Sequence, residues 1–336
     1  MKRLFSLLIA AALLCSAQAF SQTPVELRFA FPAPPNSPLN TQGYAEWAKD
    51  VTAASGGTLT IRIMAGPAFS TFDNVYDRIL KGVADMGFGV SDSIGGQFVK
   101  TSVANLPFEF EDPKHASIAL WRMVDNGLIA DEFKDVKPLA VWVFGHAAIH
   151  TKSARIKSLA DVKGLKLRAG GKMEGDIITA LGASPVTLSP TEIYQSISSG
   201  LIEGAVVQWT ATMNFKIYEV AKYHLKAPLN SSTSFVVMNR QSYEKLPAQA
   251  KAAIDKYSGE HFARRMGELV SKMDADAQET AQKTPGQVIE TVSAAEAVVW
   301  KKQLESVVAS WVKTTPNGTA VLAGWRNEMR KARAEK

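Results

Sequence analysis

The 336-residue sequence predicts an α/β protein of two domains, hinged and spanned by a long helix. Three observations predict it. Short strand patterns alternate with helical ones across brief connections, the rhythm of a mostly parallel sheet flanked by helices. That rhythm stops near residue 145 and starts again, so each half builds its own sheet. An apolar stripe at helical spacing then runs from Ala250 to Ala277, longer than one small domain needs.

In chain order, Lys2 and Arg3 precede an apolar run, Leu4 to Leu14, and Ala17-Gln-Ala19 reads as a small-x-small cleavage site. The run is too short to span a bilayer. An export signal cleaved after Ala19 is expected, with Cys15 inside it and no cysteine in the mature chain. Val25 to Ala30 alternates as a first strand. Ser37 and Pro38 offer an N-cap and first helical position for a helix carrying Tyr44, Trp47 and Val51, ended by Gly56-Gly57. Leu59 to Met64 is a second strand. Thr71 opens a helix with Phe72, Val75, Tyr76 and Ile79 inside, and Ala84 to Val90 is a third strand. Pro113 to Ile129 reads as a helix, and Leu139 to Phe144 as a strand buried on both faces.

The second rhythm starts near His146. Leu165 and Leu167 alternate with Lys166 and Arg168, and Gly170-Gly171 stop that strand before a helix from Met173. Pro185 to Leu188 is a strand. Ser189 and Glu192 form a capping box for the following helix. Ala205 to Gln208 is the next strand, with Trp209 at its end. Thr233 to Met238 returns the chain toward the first domain. Pro247 then opens a helical pattern reaching Thr284, a rod of about 50 Å. Gly286 to Glu290 is a short strand, and Ser293 and Glu296 cap a further helix. The expected division is 1–19 signal, 20–145 with roughly 232–260 first domain, 146–231 second domain, 247–284 spanning helix, and 285–336 C-terminal strand and helices packing on the domains.

The formal net charge is +6, and loss of Lys2 and Arg3 with the signal leaves +4. No basic run is interleaved with aromatics, so no nucleic-acid partner is expected. The five histidines include no HExxH, and there is no phosphate-binding loop and no GxSxG. No catalytic residue, metal site or cofactor is expected. Arg168 stands out instead, at the carboxyl end of a strand, where open α/β sheets place their ligand crevices. Its guanidinium fork matches a carboxylate; this window alone favours a surface arginine at a strand end, and the rest of the chain reverses that preference. Aromatic residues share such positions in both halves: Phe31, Phe69, Phe88 and Trp209. Two α/β halves, a chain crossing between them and export together suggest a hinged solute receptor.

An ordered series of motifs supports this reading: Leu27-Arg-Phe-Ala30, Ala53-Ala-Ser-Gly-Gly-Thr58, Gly82-Val-Ala-Asp-Met-Gly87, Leu106-Pro-Phe108, Leu165-Lys-Leu-Arg168, Leu181-Gly-Ala-Ser-Pro-Val186, Glu192-Ile-Tyr194, Gly200-Leu-Ile-Glu-Gly204 and Tyr218-Glu-Val-Ala-Lys-Tyr223. With them the mature chain resembles the periplasmic solute-binding proteins of tripartite ATP-independent periplasmic (TRAP) transporters. The resemblance implies a two-domain periplasmic-binding-protein-like fold and delivery of an organic acid to membrane permease subunits. It also implies that Arg168 pairs with the substrate carboxylate. Two departures bear on the ligand. Where members for small dicarboxylates and sugar acids often carry asparagine, this chain has Val207, followed by Gln208 and Trp209. The stretch Gly145 to His150 lacks the second arginine of many members. An apolar or aromatic monocarboxylate is therefore expected, held by Arg168 and enclosed by Trp209, Phe88 and Phe69, with Gln208 orienting it. Val207, Phe31 and Ser91 complete the expected lining. Arg155 and Lys172 are other cations that could serve the cleft. The nearer rival is the same receptor fold feeding another transporter or a sensor. A secreted α/β enzyme would need an acid–base pair near the ligand carbons, which the motifs do not assemble.

Overall fold

The computed structural model describes residues 24–335, so the expected signal and its cleavage site lie outside the described residues. Four strands come first: β1 (Val25–Phe31), β2 (Leu59–Ala65), β3 (Met86–Val90) and β4 (Val136–Val143). The chain crosses to β5 (Ala147–Thr151), β6 (Lys166–Ala169), β7 (Ser184–Thr187), β8 (Gly204–Gln208) and β9 (Tyr223–Lys226). It returns as β10 (Thr233–Asn239), and β11 (Val288–Thr291) follows. The first sheet has the order β2-β1-β3-β10-β4 and the second β11-β9-β5-β8-β6-β7. β1 runs parallel to β2 and β3, whereas the returning β10 inserts antiparallel between β3 and β4. The second sheet is likewise mixed: β6 is parallel to β7 and β8, and β5 is antiparallel to β8 and β9. Each mixed sheet follows from a crossover strand that must enter its lobe head-on.

The two crossovers lie side by side. Phe144 N–H donates to Ser232 O at 3.0 Å and Ala147 N–H to Asn230 O at 2.9 Å, and the Ser231 hydroxyl donates to Phe144 O at 2.7 Å. A short paired ribbon of this kind absorbs backbone rotation, as a hinge does.

The apolar stripe predicted as one helix is two, Ala248–Lys256 and Glu260–Lys283. Gly259, at φ 77°, turns the chain between them. The break is held on the first lobe, where Gly259 N–H reaches Leu139 O at 2.6 Å and the Trp47 indole reaches Tyr257 O at 2.8 Å. The spanning rod is therefore 24 residues, about 36 Å, not 50 Å. It still touches both lobes. Arg122 of helix Pro113–Asp125 grips Glu260 at 2.8 Å, and a Cβ on Gly267 would stand 2.8 Å from Pro113 O, which is why the helices cross so closely there. Farther along, Asp274 Oδ1 accepts from Thr210 N–H of the second lobe at 2.8 Å. Ala277 and Ala281 pack against Trp209 and Ala148.

Three smaller expectations shift. Ser37 does not cap a helix through its side chain: the turn opens as a wide Leu39–Tyr44 coil, and the Ser37 carbonyl accepts from Asn40 instead. The helix expected from Thr71 begins only at Val75, which leaves Phe72 on a loop. The helix from Pro113 ends at Asp125, before Gly127 at φ 88°. The capping box at Ser189 and Glu192 is present, and Ser293 accepts from Glu296 N–H at 3.1 Å. Under the first sheet lies an aromatic core in which Trp47 stacks on Phe262 and Phe88 on Trp142. No helix among the described residues is long and apolar enough to cross a membrane.

Candidate functional site

The lobes close on a cavity of about 60 Å³ at the carboxyl ends of β3, β6 and β8. Arg168 is almost wholly buried in its wall. The strand's period turns Arg168 away from Leu167 and Ala169, which go into the core. Its Nε–H donates to Leu188 O at 3.0 Å, and Nη1 donates to Val206 O and Glu174 Oε2, both at 3.3 Å. Nη2 has no hydrogen-bond acceptor among the described residues. It lies over Gly170, where an added Cβ would stand 2.7 Å from it. Burial lowers the Arg168 pKa, opposed by Glu174, Asp92 and Glu192; a guanidinium remains charged regardless. The outcome is a clamped cation with one terminal amino group free for an acceptor.

Two carboxylates surround it. Glu174, in the first turn of helix Lys172–Ala180, accepts from Gly170 N–H at 2.5 Å and from Asn230 Nδ2 at 3.1 Å. Asp92 comes from the other lobe, on the turn after β3, and receives both contacts of Asn105 Nδ2, at 2.8 and 3.0 Å. Burial, then the Glu174 charge, pushes Asp92 up to about 7. The lobes touch here: a Cβ on Gly171 would stand 2.8 Å from Asp92 O.

The remaining walls are aromatic. Phe72, Phe88, Phe144 and Phe215 line the space. Phe72 meets Phe88 edge-on at 6.2 Å and, across the cleft, Phe215 at 6.5 Å. Gln208 reaches Ser232 Oγ at 3.2 Å, and Asn214 and Thr210 add polar rim.

Of the residues expected from sequence, the structure brings Arg168, Phe88, Val207 and Gln208 together around this cavity. Phe31 is fully buried behind Phe88, 5.5 Å away. Phe69 lies against the core under Arg78, 5.9 Å from its guanidinium carbon. Ser91 is buried next to Asp92, and its hydroxyl has no partner among the described residues. Trp209 points the other way. Gln208 is the N-cap of helix Trp209–Asn214, so strand alternation ends there and the indole turns toward the long helix. It packs edge-on against His150 at 4.9 Å, with His224 at 5.3 Å, and lines a separate hinge-side depression. Arg155 pairs with Glu290 and Lys172 with Asp176, both on the surface. Asp92, Glu174, Phe72, Phe144 and Phe215 were not expected from sequence. Glu174 had one legible signal, an acid in the first turn after Gly170-Gly171; the others need the lobes assembled.

Larger open depressions of about 810, 770 and 540 Å³ lie at the amino ends of the first sheet, behind the hinge and beside helix Trp209–Asn214, and none contains Arg168. Among the described residues no group of three or more His, Asp or Glu side chains is placed to share a metal ion.

Two hinged α/β lobes closing on a buried guanidinium define a solute receptor. The sequence pattern described as bacterial extracellular solute-binding protein, family 7, matches residues 29–314, and the chain belongs to that family. It is a TRAP-type periplasmic receptor, not an enzyme. Receptors of this kind work with membrane permease subunits and bind small organic acids. A marine-metagenome TRAP receptor specific for aromatic acids, solved with 3-hydroxybenzoate, is 27% identical with a TM-score of 0.89, covering 94% of this chain and 100% of that one. A receptor from Rhodoferax ferrireducens with copurified benzoate is 28% identical with a TM-score of 0.89, covering 92% and 99%. The 2,3-diketo-L-gulonate-binding periplasmic protein of Escherichia coli is 25% identical over 205 residues, 59% of this chain and 61% of that one.

Proposed function

We propose that this receptor captures an aromatic monocarboxylate in the periplasm and delivers it to its permease. The observation that carries this is the free Nη2 of Arg168 set among Phe72, Phe88, Phe144 and Phe215. One ligand carboxylate satisfies the guanidinium. A ring burying about 150 Å² contributes roughly 4 kcal/mol, with about 0.5–1.5 kcal/mol more from edge contacts. A second carboxylate finds Asp92 and Glu174 rather than a cation, and an unpaired buried charge costs several kcal/mol. That benzoate and 3-hydroxybenzoate occupy the two similar receptors supports the same reading.

A thermal-shift panel followed by calorimetry tests it. Benzoate, hydroxybenzoates, mandelate and branched-chain acids should stabilise the protein, and succinate and malate should not. Arg168→Lys keeps the charge but loses the fork, and should cost about 2–5 kcal/mol of binding energy, with Arg168→Ala costing more. Tight succinate binding without response to aromatic acids would refute the ligand class, and near-wild-type affinity in both variants would refute the anchor.

A further inference from the structure

Buried Arg168 and Glu174 and half-buried Asp92 of the facing lobe set two carboxylates against one guanidinium across the cleft. The charged groups facing Asp92 are Arg168 from β6 and Glu174 from helix Lys172–Ala180, and Glu192 bears on Arg168 from the turn Pro190–Glu192. A ligand carboxylate placed on Nη2 would put a third anion beside that one cation. Where charge is uncompensated and water excluded, the group of weakest ionic support takes a proton instead. Glu174 has a guanidinium and two N–H donors. Among the described residues the Asp92 carboxylate accepts only from the neutral amide of Asn105.

We propose that the receptor takes up one proton with each carboxylate it binds, and that Asp92 holds that proton. The neutral carboxyl then becomes a hydrogen-bond donor on the cleft wall opposite Arg168, suited to a ligand carboxylate oxygen or a ring hydroxyl. Gln208 Nε2 donates to Ser232 Oγ at 3.2 Å, and Gln208, Ser232 and Asp92 line the same cleft. Burial already pushes Asp92 up to about 7 without ligand, and an added anion pushes it higher. Above about pH 7 the bound form therefore carries more protons than the free form, so raising the pH weakens binding, by up to about tenfold per unit. Below about pH 6 the free form already holds the proton, and the profile flattens.

This inference rests on carboxylate binding at Arg168, not on the aromatic ligand class. Calorimetry with benzoate, 3-hydroxybenzoate, mandelate and succinate at about pH 8.5, in phosphate and in Tris, reads the proton count from the difference in heats. The expected result is nearly one proton taken up, whichever acid binds. If succinate is the one that binds, the proposed ligand class fails while the proton count is still read. Asp92→Asn should abolish uptake, flatten the pH profile and bind more tightly than wild type at about pH 8.5, whereas Glu174→Gln, which removes a charge that raises Asp92, should reduce uptake. No proton uptake in the wild type overturns the inference, and this holds even if Asp92→Asn does not fold. Uptake surviving in Asp92→Asn overturns the assignment to Asp92, and no heat with any of the four acids overturns this inference and the proposed function together.

Discussion

Gly171→Ala separates closure of the lobes from stability of either one. Gly171 has φ −177° and ψ −170°, extended backbone that alanine adopts freely, so the second lobe alone tolerates the change. The three nearest neighbours of an added Cβ all belong to Asp92 of the first lobe: its carbonyl oxygen at 2.8 Å, its Cβ at 3.0 Å and its carbonyl carbon at 3.3 Å. None is the flexible end of a side chain, so the lobes themselves must give way. Overpacking of this kind costs about 1–3 kcal/mol. Here that cost falls on the closed state alone. Because ligand affinity scales with the population able to close, the Kd should rise about 5- to 150-fold. The melting temperature without ligand should hold or rise slightly, since alanine restricts the unfolded chain. Calorimetry gives the affinity, and small-angle scattering with saturating ligand should show a larger radius of gyration than the wild-type complex. A Kd within about twofold of wild type, below 0.5 kcal/mol, would refute the idea that the bound lobes meet at Asp92 and Gly171.

Two further outcomes are expected. Burial pushes Asp274 up to about 7, above the roughly 3.9 of an unfolded aspartate; between those values the folded state holds more protons, so stability falls as pH rises. Asp274→Asn keeps an oxygen for Thr210 N–H and should gain on the wild type in melting temperature from about pH 5 to 8, and a constant offset across that range would contradict it. Trp209→Phe should leave the Kd within about threefold, because the indole packs on His150 and His224 behind the cleft, and a large loss of affinity in calorimetry would place the ring at the ligand.

Local signals were legible wherever a residue's role depends on its near neighbours in sequence. The Leu165–Arg168 alternation placed a cation at a strand end, and Ser189 with Glu192 marked a helix start, because capping and strand period are settled within a few residues. The same locality misled at the apolar stripe from Ala250: its periodicity continues through Gly259, and only the contacts of Gly259 with Leu139 and of Tyr257 with Trp47 show why the chain turns there. β9, whose His224 faces His150 and not an apolar neighbour, escaped the pattern for the same reason. Trp209, expected at the end of β8 facing the ligand, begins a helix instead, and the indole turns to the back of the lobe. What tertiary structure alone decided was the company Arg168 keeps. Asp92 is 76 positions from it in the numbering and on the other lobe, and Glu174, Asn230 and Phe72 arrive by separate elements. Sequence determined that a guanidinium would stand at the mouth of an α/β cleft; the charge balance around it is completed by Asp92, which faces it only when the lobes close.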